Sequence, residues 1–146
     1  MALVDYFLKL DGIDGESSDK EHKDEIEVLS FSWGVSNSGS FSGGGGAGAG
    51  KANLQDFHFT ASFNKASPML FLSCATGKHI KQGVLIGRNN RTGQQEFIKM
   101  TFSDILISSY QTGGSSDSVP TDQISINYSK IDYSGHSFDV RQNEAG

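Results

Sequence analysis

The sequence predicts a mainly β protein: an antiparallel barrel or sandwich with one short α-helix at about 67–77 and a long glycine-rich loop at about 37–52. Three observations carry this. Apolar and polar residues alternate with period two through several short segments. Clusters of Gly, Asn, Asp and Ser lie between those segments, where turns belong. Only "SPMLFLSCATG" has both a helix start and a helix stop signal. A chain of 146 residues suffices for one domain with its own core.

"ALVDYFLKL" is apolar and aromatic and ends at the turn-forming "DGIDG", so residues 2–10 form the first strand. The polar "ESSDKEHKDE" lacks periodicity and reads as a solvated loop. "IEVLSFSWGVS" starts a second strand near Ile26. Its phase changes, because Ile26 and Val28 share one parity while Leu29, Phe31, Trp33 and Val35 share the other. One extra residue near Val28 and Leu29, a bulge, would reconcile them. Residues 36–51, "SNSGSFSGGGGAGAGK", offer little to bury except Phe41 and read as a loop or long hairpin arm. In "LQDFHFTASF", Phe57, Phe59, Ala61 and Phe63 then oppose Asp56, His58, Thr60 and Ser62.

The helix takes Ser67 as N-cap, Pro68 in its first turn and Gly77 as its left-handed stop, with Met69, Phe71, Leu72 and Ala75 as the apolar face. "GVLIGR", the turn "NNRTG" and "QQEFIKMTFSDILISSYQTG" return to period two. There Phe97, Lys99 and Thr101 oppose Ile98, Met100 and Phe102, and a second segment, Ile105 to Tyr110, follows a bend or bulge at Ser103 and Asp104. "GSSDSVPTD" reads as a loop, "QISINYSKIDYS" as a strand burying Ile124, Ile126 and Tyr128, and Phe138 to Val140 as a short last strand. About seven short strands and one helix make the sandwich or barrel.

The formal charge of −5 is uneven: residues 1–34 hold nine acids and three lysines. Lys and Arg do not gather into a phosphate-binding face, so nucleic acid is not an expected partner. The acidic third suits instead a contact between unlike surfaces of neighbouring copies. Lys78, His79 and Lys81 form a small basic patch that either meets such an acidic neighbour or is plain surface charge. A single Cys74 excludes an intramolecular disulfide and a cysteine-based zinc cluster, and fits folding in a reducing cytoplasm. Asp5 and Lys9 interrupt any signal-peptide core, and no run reaches the length of a membrane helix.

Read from Gly45, "GGGGAGAGKAN" resembles a phosphate-binding loop, with Gly50 and Lys51 in place. Ala52 then stands where the magnesium-binding hydroxyl belongs, and a strand rather than a helix follows, so no nucleotide is expected. His22, His58, His79 and His136 lie in separate segments and read as solvent-facing or strand-face residues. Cys74 reads as a small buried hydrophobe, because it stands far from the helix N-terminus that would activate a thiolate. The acidic pairs Asp24 and Glu25, and Asp11 and Asp14, read as solvated charge, and "DGIDGESSD" lacks the ligand positions of an EF-hand. No catalytic residue, metal or cofactor is expected.

Together, "FLKLDGIDGES", "HKDEIEVLSFSWG", the glycine-rich loop, "LQDFHFTASFNKASPMLFLSCATGKHI", "ISSYQTGG" and "DQISINYSKIDY" resemble, in matching order over about residues 2–133, the Hcp family (haemolysin-coregulated protein), the tube protein of bacterial type VI secretion. The resemblance implies a single domain over 1–146 with a barrel-like antiparallel fold, six copies closed into a ring, and rings stacked into a tube within a sheath. It further implies a spike protein at the tube's end, small effectors held and stabilised in the lumen, and export without a signal peptide. It implies no membrane insertion and no enzymatic step. By the same resemblance the arm after "SWG" reaches an adjacent subunit or ring, placing Phe41, Gly43, Gly44, Gly45, Gly46, Gly48, Gly50, Lys51 and Leu54 at an interface with the acidic Asp24 and Glu25. The helix lies toward the inside of the ring, with its apolar face on the barrel and Ser73, Thr76 and Lys78 toward the lumen. "SGHSFDVRQNEAG" departs from the family pattern, and residues 134–146 read as a C-terminal extension or an extra edge strand.

Two other classes stay open: a monomeric β-sandwich binding a small ligand or carbohydrate through aromatics such as Tyr110 or Tyr133, and an enzyme using Cys74 or His58. If the glycine arm orders only on contact, Gly46→Val or Gly48→Val should impair ring stacking more than folding. Stack content in electron micrographs set against the denaturation midpoint checks this, and equal loss of both would sink it.

Overall fold

Ile124, Ile126 and Tyr128 alternate with polar residues in the strand that organises the molecule, because nearly every part of it is hydrogen-bonded to a neighbour. The computed structural model describes residues 3–39, 50–91 and 93–146. In chain order the strands are β1 (Val4–Leu10), β2 (Ile26–Val28), β3 (Ser30–Ser32), β4 (Val35–Asn37), β5 (Ala52–Leu54) and β6 (Phe57–Ser62). After helix α1 (Ser67–Thr76) come β7 (His79–Asn89), β8 (Glu96–Ser115), β9 (Ser118–Tyr133), β10 (His136–Asp139) and β11 (Glu144–Ala145).

The pairings are antiparallel; the main sheet runs β2-β1-β7-β8-β9-β6-β3, with β10 and β11 added beside β9 and β4–β5 forming a separate two-stranded sheet. The two ends of this row, β2 and β3, are consecutive in the chain, so the sheet curls until its ends meet at Leu29. The Leu29 amide donates to the Thr60 carbonyl at 2.8 Å. No ladder joins β2 to β3 among the described residues; the connecting chain, rather than a hydrogen-bonded seam, brings the barrel's ends together. The phase change near Val28 is therefore not a bulge but a change of partner, from β1 before Leu29 to β6 after it. Leu29 and Val35, expected to share a buried face with Phe31 and Trp33, are exposed.

Inside, Phe57 lies 5.6 Å from Phe31 and 4.9 Å from Phe102, and Phe102 lies 5.1 Å from Tyr128, ring centre to ring centre. Leu8, Leu85, Ile105 and Ile126 close around these rings. Burial raises the Tyr128 phenol's pKa; its oxygen accepts from the Trp33 indole and its hydroxyl donates to the Gln55 carbonyl at 2.7 Å, so a polar tip is satisfied at the core's edge.

Residues 114–122 are not a loop. They form the outer part of the β8–β9 hairpin, which turns at Ser116 and Asp117 and pairs Ser115 with Ser118 and Gly113 with Thr121. Both faces of this arm are exposed as far as Thr121, so no core imposed an alternation there, and burial resumes at Asp122. The bend foreseen at Ser103 and Asp104 exists as a positive φ of 55° at Asp104, but β8 continues through it. Strand β7 also begins earlier than its apolar run, at His79.

Helix α1 ends as expected, at Gly77 with φ 68°, a conformation that favours glycine. Its start and its faces differ from expectation. Ala66 occupies the cap position, and Ser67 is the first helical residue. The Ser67 hydroxyl donates to the carboxylate of Asp122, fully buried on β9. Leu70 and Ser73 face the barrel, while Met69, Phe71 and Leu72 are exposed. A negative charge beside the first turn suits the positive end of the helix, and it explains why a polar residue rather than the apolar stripe faces the sheet there. Asp122→Ala should therefore cost about 2–3 kcal/mol, as for a hydrogen bond to a buried charge, and Asp122→Asn less. Urea unfolding measures both, and a wild-type midpoint for Asp122→Ala would refute the docking role.

Candidate functional site

The outward face of β3, β6, β9 and β8 is built by register. Ser30 pairs with Thr60, Thr60 with Gln123, and Gln123 with Gln111; one step along, Ser32 pairs with His58, His58 with Ser125, and Ser125 with Ser109. Two rows of uncharged polar side chains thus cross four strands, opposite the buried faces of Phe57, Phe59, Ile124 and Ile126. Ser30 and Thr60 hydroxyls are 2.7 Å apart, and His58 Nδ1 is 2.6 Å from Ser125 Oγ. The rows line a shallow depression of about 390 Å³ that carries no Asp, Glu, Lys or Arg.

A bulge extends the wall onto β8. Between Ile107 and Ser109 the register shifts by one, so Ser108 and Ser109 both point outward and Tyr110 returns opposite Ile124. Burial, with the Asp122 charge next, raises the Tyr110 pKa. Ser108 and Asn127 donate to the Asp56 carboxylate at 2.6 and 3.0 Å at one end of the wall. The sequence showed His58 and Thr60 on a polar face, but only the register reveals that Ser30, Ser32, Ser109, Gln111, Gln123 and Ser125 join them.

Neutral hydroxyls and amides that both donate and accept can hold many polar surfaces without selecting a charge. His58 and Ser125 form a base–hydroxyl pair, yet among the described residues no carboxylate orients the imidazole as activation of a nucleophile requires. Neither Tyr110 nor Tyr133 lines the depression; Tyr133 meets Trp33 edge-on at 5.7 Å. Cys74 is half-buried against the core.

Of the residues assigned to the arm, Phe41, Gly43, Gly44, Gly45, Gly46 and Gly48 lie outside the described residues. Its base is the β4–β5 hairpin, pairing Val35 with Leu54 and Asn37 with Ala52. Asn37 donates to the Gly50 carbonyl at 3.1 Å, and a side chain at Gly50 would place its Cβ 2.1 Å from the Gly39 nitrogen, so only glycine fits this crossing. Lys51 is exposed, and Leu54 packs at the core's margin. Asn143 accepts from the Ala52 amide at 3.1 Å, tying the C-terminal hairpin β10–β11 to the arm's base. On α1, Ser73 is buried toward the barrel rather than presented outward, while Thr76 and Lys78 are exposed.

The acidic segment after β1 is anchored at Asp19, His22 and Glu25, while Glu16, Lys20, Glu21, Lys23 and Asp24 stay exposed as a solvated loop's charges would. Arg88, buried on β7, holds Asp19 with two hydrogen bonds of 2.6 and 3.0 Å and approaches Asp5 at 3.5 Å. The Arg88 hydrogen bonds hold the Asp19 carboxyl at about 2, below its usual 3.8, and Asp19 in turn raises Arg88. His22, also buried, stacks on Phe7 at 4.5 Å and an angle of 11°. Its Nδ1 meets both Glu25 oxygens at 3.1 and 3.2 Å, so Glu25 is engaged within its own chain, whereas the Asp24 side chain is exposed. Segments without periodicity still dock when polar anchors replace an apolar stripe, which is why neither His22 nor this segment was legible as buried.

A family model described as "Type VI secretion system effector, Hcp" matches residues 7–134. The chain is 42% identical over 130 residues to protein hcp1 of Pseudomonas aeruginosa, covering 88% of this chain and 80% of that protein. Among solved structures, Hcp1 of Salmonella typhimurium superposes with TM-score 0.85 at 32% identity, covering 99% of this chain and 100% of the other. A type VI secretion system effector from Yersinia pestis gives 0.73 at 31% identity, over 97% and 95%.

Losing Asp19 strands the buried Arg88 with only the longer Asp5 contact. Asp19→Ala should cost about 3 kcal/mol at neutral pH, the low end for breaking a buried pair. Because the Asp19 value is depressed on folding, its contribution is full above the ordinary 3.8 and disappears as pH falls through about 2. Unfolding free energies of both proteins measured across that range should converge at its acid end; a constant gap would contradict the pairing.

Proposed function

The chain belongs to the Hcp family of type VI secretion proteins, and from that premise we propose that it is the subunit of a ring whose copies stack into the expelled inner tube. Six chains close the ring, each meeting the next through unlike surfaces, as cyclic heterologous assembly requires. The acidic segment and the exposed apolar residues Leu29, Phe63, Met69, Phe71 and Leu72 are available for such contacts. The β4–β5 arm with Gly50, Lys51 and Leu54, continued by Phe41 and Gly43 to Gly48, supplies the reach toward a neighbouring subunit or ring. The tube meets the spike at its end and the sheath around it, and the protein leaves its cell by this route.

The observation that carries the cargo role is the neutral polar wall of Ser30, Ser32, His58, Thr60, Gln123 and Ser125. A face of this kind lines the lumen, where it wets the channel and holds small effectors by many weak hydrogen bonds. Thr76 at the end of α1 and Lys78 just beyond it are exposed and remain candidates for the same lumen.

Light scattering after size exclusion should give a mass of about six chains, with ring-shaped particles in negative stain. A monomer across a wide concentration range would defeat the assembly reading. Gln123→Arg with Ser125→Arg should keep the ring mass while lowering the effector that accumulates with the protein in cells. A broken ring would assign this wall to a subunit contact, and unchanged effector levels would end its cargo role.

A further inference from the structure

His22 has a carboxylate at each ring nitrogen. Glu25 takes Nδ1, and Glu96 Oε2 lies 3.1 Å from Nε2. The tautomer that donates from Nδ1 to Glu25 presents a lone pair at Nε2, and that lone pair faces a carboxylate oxygen. Such a contact is satisfied either by a ring protonated at both nitrogens, which donates to both carboxylates, or by a cation seated between Nε2 and the Glu96 oxygen.

Glu21 adds a third carboxylate. One ligand atom each from Glu21, His22 and Glu96 lies within 4.8 Å of the others. These residues come from two distant parts of the chain: Glu96 opens β8 and pairs with Arg88 on β7, while Glu21 and His22 belong to the segment after β1. That segment is held independently of any ion. Asp19, gripped by Arg88, accepts the Glu21 amide at 3.0 Å, and Phe7 supports the His22 ring from beneath.

We propose that Glu21, His22 and Glu96 bind one zinc-class divalent ion per chain, with Glu25 orienting the imidazole as the second partner of its ring. Zinc takes nitrogen and oxygen ligands at about 2.0–2.2 Å in a tetrahedron, which sets neighbouring ligands about 3.3 Å apart. The Nε2–Glu96 separation already matches one edge, and the exposed Glu21 needs only a side-chain rotation to supply another. Water fills the fourth position from the solvent side. A carboxylate on the far nitrogen of a ligating histidine is the usual outer partner of such sites, fixing the ring and strengthening its donor atom. The ion ties the acidic segment to the start of β8, across a junction that the His22–Glu96 contact also bridges. It makes the barrel more stable and does not depend on the tube reading.

The test uses untagged, chelator-washed protein titrated with cobalt(II), whose visible absorption reports its coordination, and then with zinc. The expected result is one cobalt per chain, displaced by zinc, and a melting temperature raised by zinc. Glu21→Gln and Glu96→Gln alter exposed side chains, so both should fold, lose the cobalt band and lose the zinc-dependent rise. Glu25→Gln should weaken binding by about 10–100-fold. Failure of wild-type protein to bind cobalt or zinc, or binding that survives in both Gln variants, would overturn the site. Loss of zinc binding with intact rings separates this proposal from the assembly reading.

Discussion

A strand can show the core only every second residue, and β9 obeys that limit while pairing on both sides for much of its length. Ile124 and Ile126 must enter the barrel, so Gln123 and Ser125 must leave it. The same rule passes through each ladder. Thr60 and His58 are turned outward because Phe57 and Phe59 are turned in, and Ser30 and Ser32 follow because Phe31 packs on Phe57 at 5.6 Å. The polar wall is thus the obverse of the aromatic core, and neither can slip by one residue without exchanging places with the other. At the single position where β8 would otherwise have pointed Tyr110 at the solvent, one extra residue after Ile107 restores the match.

Away from the ladders the fold depends on polar anchors. The segment between β1 and β2 has almost no apolar residue to bury, yet it holds its place through Asp19 on Arg88 and through His22 between Phe7, Glu25 and Glu96. Arg88 lies 5.1 Å from the Phe7 ring centre as well, so the guanidinium and the imidazole share an aromatic support. Burying such groups is costly unless every charge finds a partner, and here acids outnumber bases. The arrangement fixes the most acidic part of the chain against the barrel at a few anchors while most of its charges remain exposed.

The strands around Phe57, Ile98 and Ile124 were legible because one buried face imprints a period of two, and α1 was legible from Pro68 and Gly77, which act through the backbone alone. The β8–β9 arm was not, since a hairpin exposed on both faces carries no such imprint and Gly113, Gly114 and Pro120 read as loop. Nor was the helix's inward face. Its apolar stripe, Met69, Phe71 and Leu72, pointed to burial, but Asp122 on another strand fixes Ser67 and thereby turns Leu70 and Ser73 to the barrel. The wall needed the register of four strands, which no single segment contains. His22 needed Glu96, far away in the chain.

The unpacked stripe on α1 has a further meaning once the wall is assigned to the lumen. The chain exposes Met69, Phe71 and Leu72 on its helix and Leu29 and Phe63 elsewhere. Burying such surface at a contact between copies would contribute about 25 cal/mol per Å² without any demand on direction. The wall differs in carrying no Asp, Glu, Lys or Arg among its lining residues, so it would not hold a molecule by ion pairing. Neutral hydroxyls and amides exchange readily with water, so a molecule held by them in the proposed lumen would be retained through number of contacts rather than by any one of them. The division between exposed apolar patches and an uncharged polar wall follows from the alternation of the strands and from the way Asp122 turns one helix, and it is the physical basis on which the proposed ring subunit would assemble through one kind of surface and hold its contents through another.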